Sequence, residues 1–202
     1  MRKVNSNLYN KEYFLNAVEG YQNFDNFMSN MNPKFKKALK MANLKKGDRV
    51  LDFGCGRGEI SFYANLLYGC ESVGTDYSAD AIAVCNEALE KIDSNKKNKT
   101  TFLLFDNNKL PFESNSFDAI FFLDVWEHIY PEQIDELLAE FNRILKNDGR
   151  LIIHTCPNKV FFNVGFPKYT YYINNILNKL VFMPFYGKEM KRSKIDPRSD
   201  YE

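Results

Sequence analysis

The stretch Val50–Ile60, VLDFGCGRGEI, constrains this chain more than any other. A short apolar run carries an acidic residue, Asp52. Three glycines, Gly54, Gly56 and Gly58, then alternate with other residues before a helical pattern begins. Glycine accepts dihedrals that other residues avoid, and it puts no side chain between the main chain and a ligand. By itself the pattern also suits a tight strand-to-helix turn with no ligand at all. It departs from the dinucleotide fingerprint G-x-G-x-x-G, because Gly58 comes one residue early and Glu59 stands where the third glycine belongs. A carboxylate at a helix start disfavours a pyrophosphate. The loop is therefore expected to take a ligand that carries positive charge and no phosphate.

Around this loop, strand and helix patterns alternate. Asn32-Pro33 can cap and open a helix whose apolar face is Phe35, Ala38, Leu39 and Ala42. Arg49 to Phe53 reads as a strand, and a helix from about Gly58 groups Ile60, Tyr63, Ala64 and Leu67. Ser72 to Thr75 is a second strand ending at Asp76. Ser78 can then cap a helix facing inward through Ile82, Cys85, Ala88, Leu89 and Ile92. Thr101 to Phe105 is a third strand, ending at Asp106. Phe117 to Val125 is nearly all apolar, as a strand buried on both faces should be. Pro131 opens a helix striped by Ile134, Leu137, Leu138, Phe141 and Leu145. Gly149 stands where a C-terminal cap belongs, and Arg150 to Thr155 is a fifth strand. This order predicts an α/β fold, a Rossmann-like doubly wound and mostly parallel sheet. Such sheets bind ligands beyond the carboxyl ends of their strands, near the switch point. Asp52, Asp76 and Asp106 all lie there.

Composition narrows the partners. The 202 residues suit one domain with a small appendage, and a net charge of +1 gives no global case for nucleic acid or an anionic membrane. Cys55, Cys70, Cys85 and Cys156 form no C-x-x-C pair, and only two histidines could join them, so no metal site is expected. Free thiols, an N-terminus without a signal-like apolar stretch and the absence of a span-length apolar run predict a cytoplasmic location.

Four segments in order resemble one family. VLDFGCGRG, VGTDYS, FDNNKLPFESNSFDAIFFLDVWEHI and LKNDGRLIIHTCPN are similar to the successive motifs of class I S-adenosylmethionine-dependent methyltransferases of the small-molecule type, over about Arg49 to Asn158. The resemblance implies S-adenosylmethionine as cofactor and S-adenosylhomocysteine as product. It implies that Gly54, Cys55, Gly56 and Gly58 pass under the cofactor's amino acid part, with Asp52 orienting its amino group. Asp76, followed by Tyr77, would accept both ribose hydroxyls, although an aspartate there also suits a helix cap. Asp106 would accept from the adenine amino group with Asn107 beside the ring, although Asp106 also suits a turn. Leu123, Asp124 and Val125 would line the methionine end.

In Trp126-Glu127-His128-Ile129, His128 is the candidate general base, since histidine titrates near neutral pH. It also suits a loop-shaping hydrogen bond. His154 reads as a core or wall histidine. Tyr9 to Phe24 resembles a lid segment, with Tyr13 and Tyr21 over the cofactor, and it also suits an amphipathic helix packed on the core. The expected organisation is a lid over 1–32, a cofactor-binding core over 33–158 and a helical tail over 159–202. The tail shows no sixth or seventh strand of the seven-stranded family sheet. That predicts either a truncated domain end or an acceptor cap. The expected activity is methyl transfer to a small-molecule or glycan-type acceptor at oxygen, with no nucleic acid partner. The rivals are a non-catalytic cofactor-binding module and an NAD-dependent oxidoreductase.

Overall fold

The computed structural model describes residues 9–16, 30–92, 99–105 and 109–155. Five strands, β1 (Arg49–Phe53), β2 (Glu71–Asp76), β3 (Thr100–Leu104), β4 (Phe117–Leu123) and β5 (Leu145–His154), form one sheet in the order β3-β2-β1-β4-β5. Every adjacent pair is parallel. The chain steps outward from β1 to β3, then returns to lay β4 on the other side of β1. The switch point therefore falls between β1 and β4, where such sheets open a crevice.

Alternation along the strands sorts side chains onto two faces. Val50, Ala119, Phe121 and Ile152 join Ala38, Leu39 and Ala42 of α2 (Pro33–Ala42) and Ile60, Phe62, Tyr63 and Ala64 of α3 (Glu59–Tyr68). Cys85 and Ala88 of α4 (Ala79–Lys91) complete that core. On the opposite face Leu51, Val73, Ile120 and Phe122 pack with Leu137, Phe141 and Ile144 of α5 (Pro131–Ile144). The expected caps are in place. The Asn32 side chain accepts from the Lys34 amide at 2.9 Å, and Ser78 Oγ accepts from the Ala81 amide at 3.2 Å.

Three local expectations change. Leu67 is 53% exposed, because α3 buries its Ile60–Asn65 portion and ends at Tyr68, capped by Gly69 in a left-handed turn (φ 72°). Gly149 does not cap α5. The helix stops at Ile144, Leu145 is already extended and pairs with Phe117, and β5 carries a register shift before Arg150 pairs with Ala119. A Cβ on Gly149 would lie 2.7 Å from Leu145 Cγ, so glycine is needed there for close packing within the bulged strand. Strand β4 ends at Leu123, two residues early, because Asp124 turns left-handed (φ 56°) into a 3-10 turn over Trp126–His128.

Met1–His154 forms one unit and Thr155–Glu202 a second, and every helix and strand above belongs to the first. The expected tail lies outside the described residues, as do Tyr21, Asp106, Asn107 and Cys156. No described helix is long and apolar enough to cross a membrane.

Candidate cofactor site

The glycine loop joins β1 to α3 at the carboxyl edge of the sheet. The amides of Gly54 and Cys55 both donate to the Thr75 carbonyl, at 2.8 and 2.9 Å, which staples the loop to β2. Two of its glycines face protein. At Gly54 (φ 73°) a Cβ would come within 2.3 Å of Val125 Cγ2. At Gly58 (φ 76°) it would come within 2.7 Å of the Phe102 ring. Gly56 differs, since the nearest neighbour of a Cβ there is the Phe14 ring at 3.6 Å. The loop is thus held tightly at both ends, by Val125 and by Phe102 of β3, and meets only the Phe14 ring, in ordinary contact, at Gly56.

Two buried carboxylates flank it. Asp52 Oδ2 accepts from Ser61 Oγ at 3.0 Å and from the Ser61 amide at 3.3 Å. Burial pushes its pKa up to about 7. The Ser61 bonds oppose that rise, and the charges of Asp76 and Glu59 add to it. Asp76 Oδ2 accepts from the Gly56 amide and Oδ1 from the Ser78 amide, both at 2.9 Å. Its pKa is also raised by burial, against the pull of those backbone bonds. Ser78, not Asp76, caps α4, so the Asp76 carboxylate serves the loop. Glu59 departs from its expected part. Its Oε2 accepts from Arg57 Nε at 3.1 Å and Nη2 at 2.9 Å, with Arg57 almost wholly buried. Arg57 therefore offsets its charge, and Glu59 alone does not repel a pyrophosphate.

The N-terminal segment lies over this edge. The backbone amide of Lys11, which opens α1 (Lys11–Asn16), donates to Asp80 Oδ2 at 3.0 Å, and its ammonium pairs with Glu87 at 2.5 Å. Both partners belong to α4. Phe14 is 5% exposed and packs at Gly56. Tyr13 meets Tyr9 and Phe14 edge-on, at centroid distances of 5.1 and 5.3 Å. Tyr9, which opens the segment and was given no role of its own in the sequence, is the central residue. Its carbonyl accepts from Ser78 Oγ at 2.7 Å, its ring meets Tyr77 at 5.8 Å, and its hydroxyl lies 3.0 Å from His128 Nδ1. One tyrosine thus links the end of β2 to the 3-10 turn after β4. The described part of the segment, residues 9–16, packs on α4 and places Phe14 at Gly56, as the packed-helix alternative expects.

A third grouping sits at the ends of β4 and β5. Asp124 Oδ1 lies 2.5 Å from His154 Nδ1, while Asp124 Oδ2 pairs with the Lys34 ammonium. The Asp124 amide donates to the His154 carbonyl at 2.8 Å. Leu123 is buried beside them. His154 is no core histidine, with 43% of its side chain exposed. Among the described residues no cluster of histidine, cysteine and carboxylate side chains could hold a metal ion.

A parallel sheet with a glycine loop after its first strand, buried carboxylates beside that loop and an N-terminal helix packed on it marks an α/β enzyme with a nucleoside-type cofactor. The family model described as the methyltransferase domain matches residues 51–153. The chain belongs to the class I S-adenosylmethionine-dependent methyltransferases. It is similar to the cyclopropane-fatty-acyl-phospholipid synthase of Escherichia coli (strain K12), 32% identical over 139 residues, which are 69% of this chain and 34% of that protein. It is also similar to the sterol 24-C-methyltransferase of Schizosaccharomyces pombe, 29% identical over 133 residues, 66% of this chain and 34% of that protein. The chain thus spans about a third of the length of these curated relatives. Among solved structures, the Haemonchus contortus phosphoethanolamine N-methyltransferase 2 with S-adenosylhomocysteine aligns with a TM-score of 0.54 at 30% identity. The alignment covers 64% of this chain and 30% of that one. A Pyrococcus horikoshii OT3 protein aligns with a TM-score of 0.58 at 27% identity, covering 77% and 68%.

Proposed function

We propose that this protein transfers a methyl group from S-adenosylmethionine to a small-molecule or glycan-type acceptor, at oxygen. The observation that carries the reading is the pair of buried carboxylates at the glycine loop. Asp52 and Asp76 are both raised by burial, and Asp52 is raised further by its acidic neighbours. Such groups ionise readily only when a cation or hydroxyl donors join them. S-adenosylmethionine brings a sulfonium, an ammonium and a ribose diol. The Asp76 carboxylate accepts from the backbone amides of Gly56, Ser78 and Tyr77, and its remaining lone pairs can accept a hydroxyl as well. NAD would bring a diphosphate to the same carboxylates and fits them poorly.

In this reading the loop from Gly54 to Gly58, with Cys55 and Gly56 at its middle, passes under the amino acid part of the cofactor. Asp52 faces its ammonium, Asp76 holds the ribose with Tyr77 alongside, and Leu123 and Asp124 border the methionine end. Asp106 and Asn107 keep their proposed place at the adenine. When bound, S-adenosylmethionine supplies a methyl group that is already electrophilic, so the protein's work is alignment and exclusion of water. Tyr9, Tyr13 and Phe14 cover the loop and do the second. A hydroxyl acceptor must also give up a proton, and His128 and His154 both stand at this end of the sheet.

Asp76→Ala is expected to weaken S-adenosylhomocysteine binding by about 1.5–3 kcal/mol, the scale of hydrogen bonds to a charged group. Unchanged affinity in calorimetry would remove Asp76 from the pocket. Tyr9→Phe keeps the ring and loses only the hydroxyl that meets His128. Its expected cost is about 0.5–1.5 kcal/mol of lid closure, seen as weaker cofactor binding and faster proteolysis near residue 9 in the bound state. Equal proteolysis rates in the two proteins would show that the Tyr9–His128 contact does not hold the lid.

A further inference from the structure

We infer that the proton released by the acceptor goes to Nε2 of His154, oriented by Asp124, and that His128 serves to hold the lid. This rests on the methyltransferase reading above. The decisive difference is what each imidazole faces. A carboxylate can only accept, so with Asp124 Oδ1 at 2.5 Å the Nδ1 of His154 must carry a hydrogen. The lone pair of the neutral ring is then on Nε2, the only basic position left. His128 faces a phenol, which donates as well as accepts. When the Tyr9 hydroxyl donates to Nδ1, Nε2 of His128 carries the hydrogen and has no lone pair to offer.

The dyad is also held. Leu123 and His154 are register partners at the ends of β4 and β5. The Asp124 amide donates to the His154 carbonyl, and Asp124 adopts a φ of 56°, uncommon for a residue with a side chain. The Lys34 ammonium occupies the second carboxylate oxygen, so the carboxylate cannot turn away from the ring. The turn that carries Asp124 touches the glycine loop, since Val125 packs on Gly54. The His154 side chain remains 43% exposed, so a small acceptor can reach it.

The step balances. A lone pair of the acceptor oxygen forms the new bond to the methyl carbon. The carbon–sulfur bond breaks with its pair going to sulfur, leaving a neutral thioether. The hydroxyl proton moves to His154 Nε2, and the imidazolium, facing the Asp124 carboxylate, later returns it to water.

The chain has only two histidines, so nitrogen-15 spectra of the full labelled protein contain two imidazoles, and His128→Gln assigns them. His154 is expected to show a protonated Nδ1 and a bare Nε2, and Asp124→Asn is expected to abolish that preference. A bare Nδ1 on His154, or no response to Asp124→Asn, overturns the inference. Turnover is read as S-adenosylhomocysteine released with a panel of phenols, sugars and hydroxy acids. His154→Ala is expected to lose about 100-fold or more, the usual scale of a general base, with S-adenosylhomocysteine affinity unchanged and partial rescue by added imidazole. Wild-type turnover in His154→Ala overturns the inference. So does a wild type that binds S-adenosylhomocysteine but methylates none of the panel. A wild type that fails to bind S-adenosylhomocysteine overturns the methyltransferase reading itself, while the tautomer result stands.

Discussion

Asp52→Asn is expected to make the ligand-free protein more stable at pH 8, by up to about 4 kcal/mol. Asp52 is almost wholly buried, and its pKa rises from 3.8 in the unfolded chain to about 7 in the fold. Between those values the folded state holds a proton that the unfolded state has released. Folding stability therefore falls as pH rises from about 4 to about 7 and stays low above it. A shift of roughly three units corresponds to about 4 kcal/mol. Asparagine has no charge to desolvate, and its carbonyl oxygen can still accept from Ser61. Urea melts at pH 5 and pH 8 check this: both proteins should lose stability between them, because burial also raises Asp76, but wild type should lose clearly more than the variant. A wild type equally stable at both would show that Asp52 carries no such penalty. The same group links stability to ligand. A cationic cofactor relieves the repulsion, so wild type should bind S-adenosylmethionine more tightly at pH 8 than at pH 6, with a proton released on binding.

Gly58→Ala is expected to cost about 2–5 kcal/mol and to abolish cofactor binding. Its φ of 76° carries a left-handed penalty of about 1–2 kcal/mol for any residue with a Cβ. The new methyl would stand 2.7 Å from two atoms of the Phe102 ring and 3.0 Å from Cys85 Sγ. Phe102 is buried against Phe62 at 5.3 Å between centroids, so it cannot swing aside freely. Overpacking of this kind costs about 1–3 kcal/mol. Gly56→Ala is the control, because its methyl would meet only the Phe14 ring, in ordinary contact. At φ 52° it carries the same left-handed penalty, so it should lower the melting temperature too, but by less than Gly58→Ala, because the overpacking is missing. Equal melting temperatures for the two variants would contradict the different surroundings given to these glycines.

The sheet and its caps were legible because each rests on short-range chemistry. Asn32 and Ser78 cap their helices because a short polar side chain reaches amides two or three residues on. The apolar period of α2 fixes its buried face, and the nearly unbroken apolar run of β4 marks a strand covered on both faces. Gly149 misled for the same reason: a glycine after a helical stripe suits a cap, yet pairing of Leu145 with Phe117 draws the chain into the sheet first. Glu59 misled in strength, since Arg57 two residues away pairs with it and offsets its charge.

The parts of the site left unread are contacts across long sequence distances. Tyr9 and His128 are 119 residues apart, Lys34 and Asp124 are 90 apart, and Asp124 and His154 are 30 apart. No local spacing encodes such pairs; the parallel strand order brings them together. Asp52, Asp76 and the glycines were legible because they belong to consecutive strand ends, which the βαβ pattern places side by side.

The central claim is that the loop and its carboxylates hold S-adenosylmethionine. Thermal unfolding of the full chain with S-adenosylmethionine, S-adenosylhomocysteine and NAD, added separately, tests it most directly. A ligand at about 100 times its dissociation constant adds roughly 2.7 kcal/mol of stability. The first two are expected to raise the melting temperature by several degrees, and NAD is expected to leave it unchanged. A shift with NAD, or no shift with either sulfur compound, would contradict the account.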